Sequence, residues 1–148
     1  MAGANFTIEV DDAAPRGMLD RLLAFGGDLT PAFSDIGEYL LNSHRQRFAD
    51  QQAPDGTSWQ PLSPKYQARK KKNRDKILVF EGWLVGRLGY DARPDELVFG
   101  TPMIYGATHH FGDPGRNIPA RPFLGLSNDD RGGVLDILRD HAQRAAEG

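Results

Sequence analysis

Thr30-Pro31 opens a run in which Phe33, Ile36, Leu40, Leu41, His44 and Phe48 recur at spacings of three and four residues. That period is the signature of a helix with one apolar face, and it persists to about Ala49. A threonine followed by proline suits the start, with the hydroxyl as N-cap and the fixed proline φ at the first helical position. Asp35, Glu38, Asn42, Arg45 and Arg47 are read onto the opposite, polar side. A long amphipathic helix gets most of its stability from whatever covers its apolar face. The rest of the sequence must therefore supply a covering layer.

Alternation supplies it. Phe6, Ile8 and Val10 alternate with Thr7 and Glu9, the period of a half-buried strand. Leu88, Tyr90 and Ala92 form a second alternating run and Leu97 and Phe99 a third, joined by Arg93-Pro94-Asp95 as a β-hairpin. Between the first strand and the long helix, Asp11–Ala14 break the pattern, and Pro15 opens a short helix through Leu22 and Leu23 that Gly26-Gly27 interrupts. Pro54-Asp55-Gly56 is turn chemistry: a preset φ, an Asx acceptor and a residue tolerant of positive φ. Ser63-Pro64 starts a short basic helix through Tyr66 and Ala68; the stretch after Ile77-Leu78-Val79-Phe80, with Gly82 and Gly86, fits no regular element.

Met103–Phe111 is compatible with one or two helical turns stopped by Gly112, residues 112–120 read as a loop, and Pro119–Leu126 as extended. Ser127-Asn128-Asp129-Asp130 resembles a capping box with a shorter acid, and the helix it opens buries Val134, Ile137, Leu138 and Ala142. Arg139, His141 and Arg144 lie towards its C-terminal end, where cations complement the helix dipole. The predicted architecture is α+β: a long helix on a small antiparallel sheet with a β-hairpin, closed by a C-terminal helix. A chain of 148 residues with 39% apolar content suits a single domain over 1–148.

Composition narrows the chemistry. The absence of cysteine removes disulfides, thiolate metal sites and a catalytic thiol. The N-terminus has no basic region followed by an apolar run, and no segment approaches about 18 consecutive apolar residues, so a soluble chain is expected. Arg69, Lys70, Lys71, Lys72, Arg74 and Lys76 stand against the lone Asp75, which places about +5 on a chain of formal charge −2. Such a run either neutralises phosphates or forms a solvated loop; no aromatic interrupts it and the remainder of the chain is acidic.

Nothing in the sequence marks an active site. The adjacent pair His109-His110 points about 100° apart on a helix and cannot readily chelate one ion, so neither metal nor cofactor is expected. His44, among Leu40, Leu41 and Phe48, reads as a boundary residue. There is no nucleophile elbow and no phosphate loop; Gly82-x-x-x-Gly86 lacks the lysine and the third glycine. Trp59 and Trp83 lie beside turns and glycines, where each is either core or, for Trp59, an interface anchor.

Three segments carry a resemblance. Pro54-Asp55-Gly56-Thr57-Ser58-Trp59-Gln60-Pro61-Leu62-Ser63, Tyr105-Gly106-Ala107-Thr108-His109-His110-Phe111-Gly112 and Ile118-Pro119-Ala120-Arg121-Pro122-Phe123-Leu124-Gly125-Leu126-Ser127 resemble, in order, segments of the phage virion morphogenesis family. That family includes tail-completion proteins of Mu-like and related tailed phages. The chain departs from its pattern at Glu81, where Thr or Ser precedes the glycine, and at Gly106, where alanine is usual.

The resemblance implies a structural particle-assembly role in the virion, at the neck or tail terminus, for a protein made in the host cytoplasm and without enzymatic activity. Expected partners are further copies of the chain in a ring, a hexamer by the usual tail symmetry, together with tail-tube or head–tail connector proteins. Trp59, Pro61, Arg121, Pro122 and Phe123 are the expected subunit-interface residues, with Arg121 either reaching a neighbour's carboxylate or capping a carbonyl of its own subunit. The basic residues Arg69, Lys70, Lys71, Lys72, Arg74 and Lys76 are expected to face the channel and passing DNA, or to bind DNA directly in an assembly factor.

Overall fold

The computed structural model describes residues 3–9, 28–61 and 86–147. The periodic run forms α1, Thr30–Asp50. The alternating runs form β1, Ala4–Glu9, then β2, Gly89–Ala92, and β3, Glu96–Thr101. A short helix α2, Ile104–Phe111, and a C-terminal helix α3, Asn128–Glu147, follow. The strands make one antiparallel sheet in the order β1-β3-β2, so the chain is α+β as its patterning predicts. The helix expected from Pro15, the basic helix from Ser63, the run 69–76, residues 77–80 and Trp83 lie outside the described residues.

Register explains why the sheet has one dry face. Phe6 and Tyr90 flank Phe99, and Ile8 and Ala92 flank Leu97. Residues directly opposite share a face, so these five side chains with Leu97 at the centre form one apolar surface. α1 lies on it with Phe33, Ile36 and Leu40 fully buried. Close approach is possible because Gly37 sits where the Tyr90 ring crosses α1; a Cβ there would fall 2.5 Å from ring carbons. α3 packs along α1 in the same way, with Val134, Leu138 and Ala142 buried and Gly133 beneath the Tyr39 ring. Glycine in a helix interior costs about 1 kcal/mol relative to alanine. Here each one admits an aromatic ring that packs the layers together.

Three details differ from the sequence reading. The N-terminal cap is not the Thr30 hydroxyl: the Asp28 carboxylate accepts the Thr30 N–H at 2.9 Å, and the Leu29 N–H donates to the Pro94 carbonyl in the hairpin turn. His44 is completely buried instead of lying at the boundary. Arg47 is buried too, on the apolar side of α1. The steps from Leu40 to His44 to Arg47 are four and three residues, so all three share a helix face; the charge of arginine had masked the spacing.

Arg47 is accommodated by the start of α3. Its Nη2 donates to Asp130 Oδ2 at 2.9 Å, and its Nη1 to the carbonyls of Phe123 at 2.7 Å and Gly125 at 3.3 Å. The same Asp130 oxygen accepts the Ser127 N–H at 3.0 Å, while Ser127 Oγ accepts the Asp130 N–H at 2.9 Å. The expected capping box is present with aspartate in the place of glutamate, and its acid also neutralises a buried guanidinium. Burial pulls the Arg47 pKa below its ordinary value and Asp130 pulls it back.

Two substitutions separate these roles. Ser127→Ala removes only the cap and should cost about 1 kcal/mol. Asp130→Ala removes the cap's reciprocal acceptor and leaves Arg47 buried without its counter-ion, which should cost about 3–5 kcal/mol. Urea denaturation of both variants checks this, and equal losses would show that Arg47 does not depend on Asp130.

Candidate functional site

The segment from Pro119 to Leu126, the strap, crosses the end of α1 without joining any sheet. Its backbone polar groups cannot find ladder partners, yet buried N–H and C=O groups require partners. Side chains supply them. Trp59 Nε1 donates to the Pro122 carbonyl at 2.7 Å. The Phe123 and Leu124 N–H groups donate to His110 Nδ1 at 3.2 and 3.4 Å. The Gly125 N–H donates to His44 Nε2 at 3.3 Å, and Arg47 covers the carbonyls of Phe123 and Gly125. One end is tied by the Arg121 N–H to the His109 carbonyl at 2.8 Å.

Each of these side chains is delivered by local sequence. α1 ends at Gln51 in a left-handed conformation, with its N–H on the Arg47 carbonyl at 2.7 Å. A tight loop follows in which Asp55 Oδ1 accepts the Thr57 N–H at 2.9 Å and Gly56 has φ +88°, the turn chemistry expected of Pro54-Asp55-Gly56. The loop returns to α1 through the Trp59 N–H on the Gln51 carbonyl at 2.9 Å. The Trp59 indole thus arrives edge-on to Phe48, with ring centroids 5.4 Å apart, and Phe48 in turn packs against Phe123. α2 presents His110 over the same Phe123 ring and stops at Gly112, whose φ is +79°. A Cβ at Gly112 would lie 2.7 Å from the Ala120 nitrogen, so only glycine lets the strap cross there.

The residues expected at a subunit boundary separate into two groups. Trp59, Arg121 and Phe123 are buried within their own subunit; Trp59 retains 4% of its surface. Arg121 caps carbonyls of its own chain, with Nε on Gln60 at 2.7 Å and Nη2 on Pro61 at 3.2 Å. Pro61 is exposed and Pro122 half-buried. Phe111 is 70% exposed at the end of α2, a prominence that sequence reasoning missed because helical spacing cannot say which turn meets another layer. His44, Arg47 and His110 were missed as strap ligands for a related reason: their partners lie 81, 76 and 13 residues away in sequence.

The electrostatics keep the imidazoles neutral. Burial, reinforced by the Arg47 charge, lowers His44 to about 4 and lowers His110 below its ordinary range. Burial, with Arg121 and Arg116 nearby, lowers His109. His109 is half-buried near Arg121. Among the described residues no three His, Cys, Asp or Glu side chains converge as a metal-binding group.

The phage virion morphogenesis family model matches residues 10–143. The chain belongs to the phage virion morphogenesis family. It is 30% identical over 145 residues to tail completion protein S of Escherichia phage P2, covering 84% of this chain and 95% of that protein. It is 29% identical over 116 residues to the putative capsid assembly protein G of Escherichia phage Mu, covering 72% and 74% of the two chains. It is 31% identical over 118 residues to the Mu-like prophage FluMu G protein 1 of Haemophilus influenzae, covering 76% and 77%. No solved structure matches. These relationships give the chain a role in virion morphogenesis, in the tail-completion class, and no described helix is long and apolar enough to cross a membrane.

Two aromatic substitutions test how the strap is held. Trp59→Phe keeps a ring in the Phe48–Phe123 cluster and loses the bond to the Pro122 carbonyl, for an expected loss of about 1–3 kcal/mol. Phe111→Ser, on an exposed ring, should change stability by less than about 0.5 kcal/mol. Thermal denaturation of the two variants distinguishes them, and equal stability would mean that the indole bond contributes nothing.

Proposed function

We propose that this chain is a structural tail-completion subunit that closes the tail end or joins tail to head, acting as one copy of a ring in the neck and not as an enzyme. The observation that carries the reading is the match to tail completion protein S, which extends over 95% of that protein's length. The strap adds a physical argument. A ring needs two different surfaces that meet repeatedly until the circle closes. Surfaces that are rigid before they meet lose less freedom on association. The strap and the 51–61 loop are cross-tied through Trp59 and Arg121, with Pro61 exposed on the loop, and α2, bonded to the strap through His110, leaves Phe111 exposed at its end.

On this reading Trp59, Arg121 and Phe123 shape the contact from beneath, while Pro61, Pro122 and Phe111 touch the neighbour. The partners are other copies of the chain, a hexamer by tail symmetry, and tail-tube or connector proteins. The basic run at 69–76 faces the channel and passing DNA. An alternative use of that run, direct DNA binding, is favoured by its charge of about +5 and would appear as a salt-dependent shift of duplex DNA lost on neutralising Lys70, Lys71 and Lys72.

The test is the mass of the purified protein by light scattering on a size column, alone and with tail-tube protein. A ring-sized species in either sample supports the reading and counts the copies. Phe111→Asp should abolish that species while the monomer's thermal transition stays within about 0.5 kcal/mol of wild type. A monomer in both wild-type samples would overturn the ring.

A further inference from the structure

The two imidazoles that hold the strap, from α1 and α2, work as acceptors, and that use depends on protonation. His44 Nδ1 donates to the Leu40 carbonyl at 2.8 Å, so its Nε2 is the bare nitrogen that takes the Gly125 N–H. His110 Nδ1 takes two backbone N–H groups, from Phe123 and Leu124, and is likewise bare. A ring nitrogen accepts only while it carries no proton. Adding one would set N–H against N–H at three consecutive strap residues and place a second cation beside Arg47.

We propose that His44 and His110 form a proton-operated latch on residues 123–125: the strap is docked while both rings are neutral and undocks when they are protonated, with the α1–sheet core still folded. The surroundings set its direction. From α1, the Arg47 charge opposes protonation of both rings; from α3, Asp130 favours that of His44 but is already bonded to Arg47. From the sheet, Phe6 and Phe99 pack on the His44 ring without charge; from α1 itself, Ser43 Oγ lies 3.5 Å from its Nδ1. Phe111 and Phe123 flank His110, and a charge on His110 opposes protonation of His44.

The sign follows. Both rings are held below the ordinary histidine value of about 6.5 in the docked state, so the undocked state binds more protons and gains as pH falls below that value. The His44 contribution is fully lost near its docked value of about 4. Above pH 6.5 the latch is closed. Undocking would part Trp59 from the Pro122 carbonyl and open the Phe48–Phe123 ring contact. The latch does not depend on the ring assembly proposed above, and an isolated subunit suffices to test it.

The experiment is hydrogen exchange by mass spectrometry on the full chain across this pH range, corrected for the intrinsic exchange rate, comparing strap peptides with α1 peptides. Protection at 123–125 should fall by about tenfold per pH unit for each proton taken up, while α1 protection holds. His110→Asn retains an acceptor oxygen without a titrating group and should remove one proton from that slope. Strap protection independent of pH, strap and α1 losing protection together, or an unchanged slope in His110→Asn would each overturn the latch. Nitrogen-15 spectra of the wild-type imidazoles provide a check that needs no variant: both rings neutral at neutral pH with the tautomers stated above is the expected result, and a protonated ring there would refute it.

Discussion

Burying Arg47 removes a guanidinium from water, a change that costs several kcal/mol unless geometry restores its hydrogen bonds. Three elements must meet for that to happen. α1 carries the cation, the first turn of α3 carries the carboxylate, and the strap between α2 and α3 contributes two carbonyls. If any of them is displaced, a buried charge or a backbone group is left unmet. The pair is therefore better understood as a device that rejects other arrangements than as a source of net stability. Its demands explain why Asp130 serves two partners and why the α3 cap and the strap form one structural unit.

The strap shows the same logic applied to a backbone. A β-ladder would satisfy its amides with little regard to side-chain identity, but it would also require a neighbouring strand. Here Trp59, His44, His110 and Arg47 do so individually. Each bond ties a residue's chemical type to one position. A chain held this way can cross a domain without a neighbouring strand while its own side chains, Arg121 and Phe123, are buried. Ordering of a segment held this way is completed during folding and not during association, which is what the proposed assembly contact would need.

Much of this was legible from residue order. The apolar period of α1, the alternation of the three strands, the Asp55–Gly56 turn, the stop at Gly112 and the Ser127–Asp130 box all arise from interactions within a few residues. Those are the interactions that a local pattern encodes. The failures have equally definite causes. Thr30 before Pro31 reads as a cap, but the helix begins one residue earlier, with Leu29 as the cap residue and Asp28 accepting the Thr30 N–H. Arg47 was assigned to solvent on its charge although its spacing from Leu40 and His44 placed it with the core. Arg121 between prolines was compatible with a partner on either side of a subunit boundary, and its spacing could not choose.

The sequence by itself determined the element types, the α+β class and, through three ordered segments, the family. These rest on periodicity and on short motifs whose meaning is carried by neighbours along the chain. Tertiary structure alone decided which carbonyls Arg47, Trp59 and Arg121 would serve, which histidine nitrogens would accept, and that Phe111 would stand outside while Phe123 turned in. Those outcomes join residues separated by as many as 81 positions, and they depend on where α1, α2 and α3 come to rest around one another. Hydrogen bonding at such separations is set by packing geometry, which no single stretch of sequence contains.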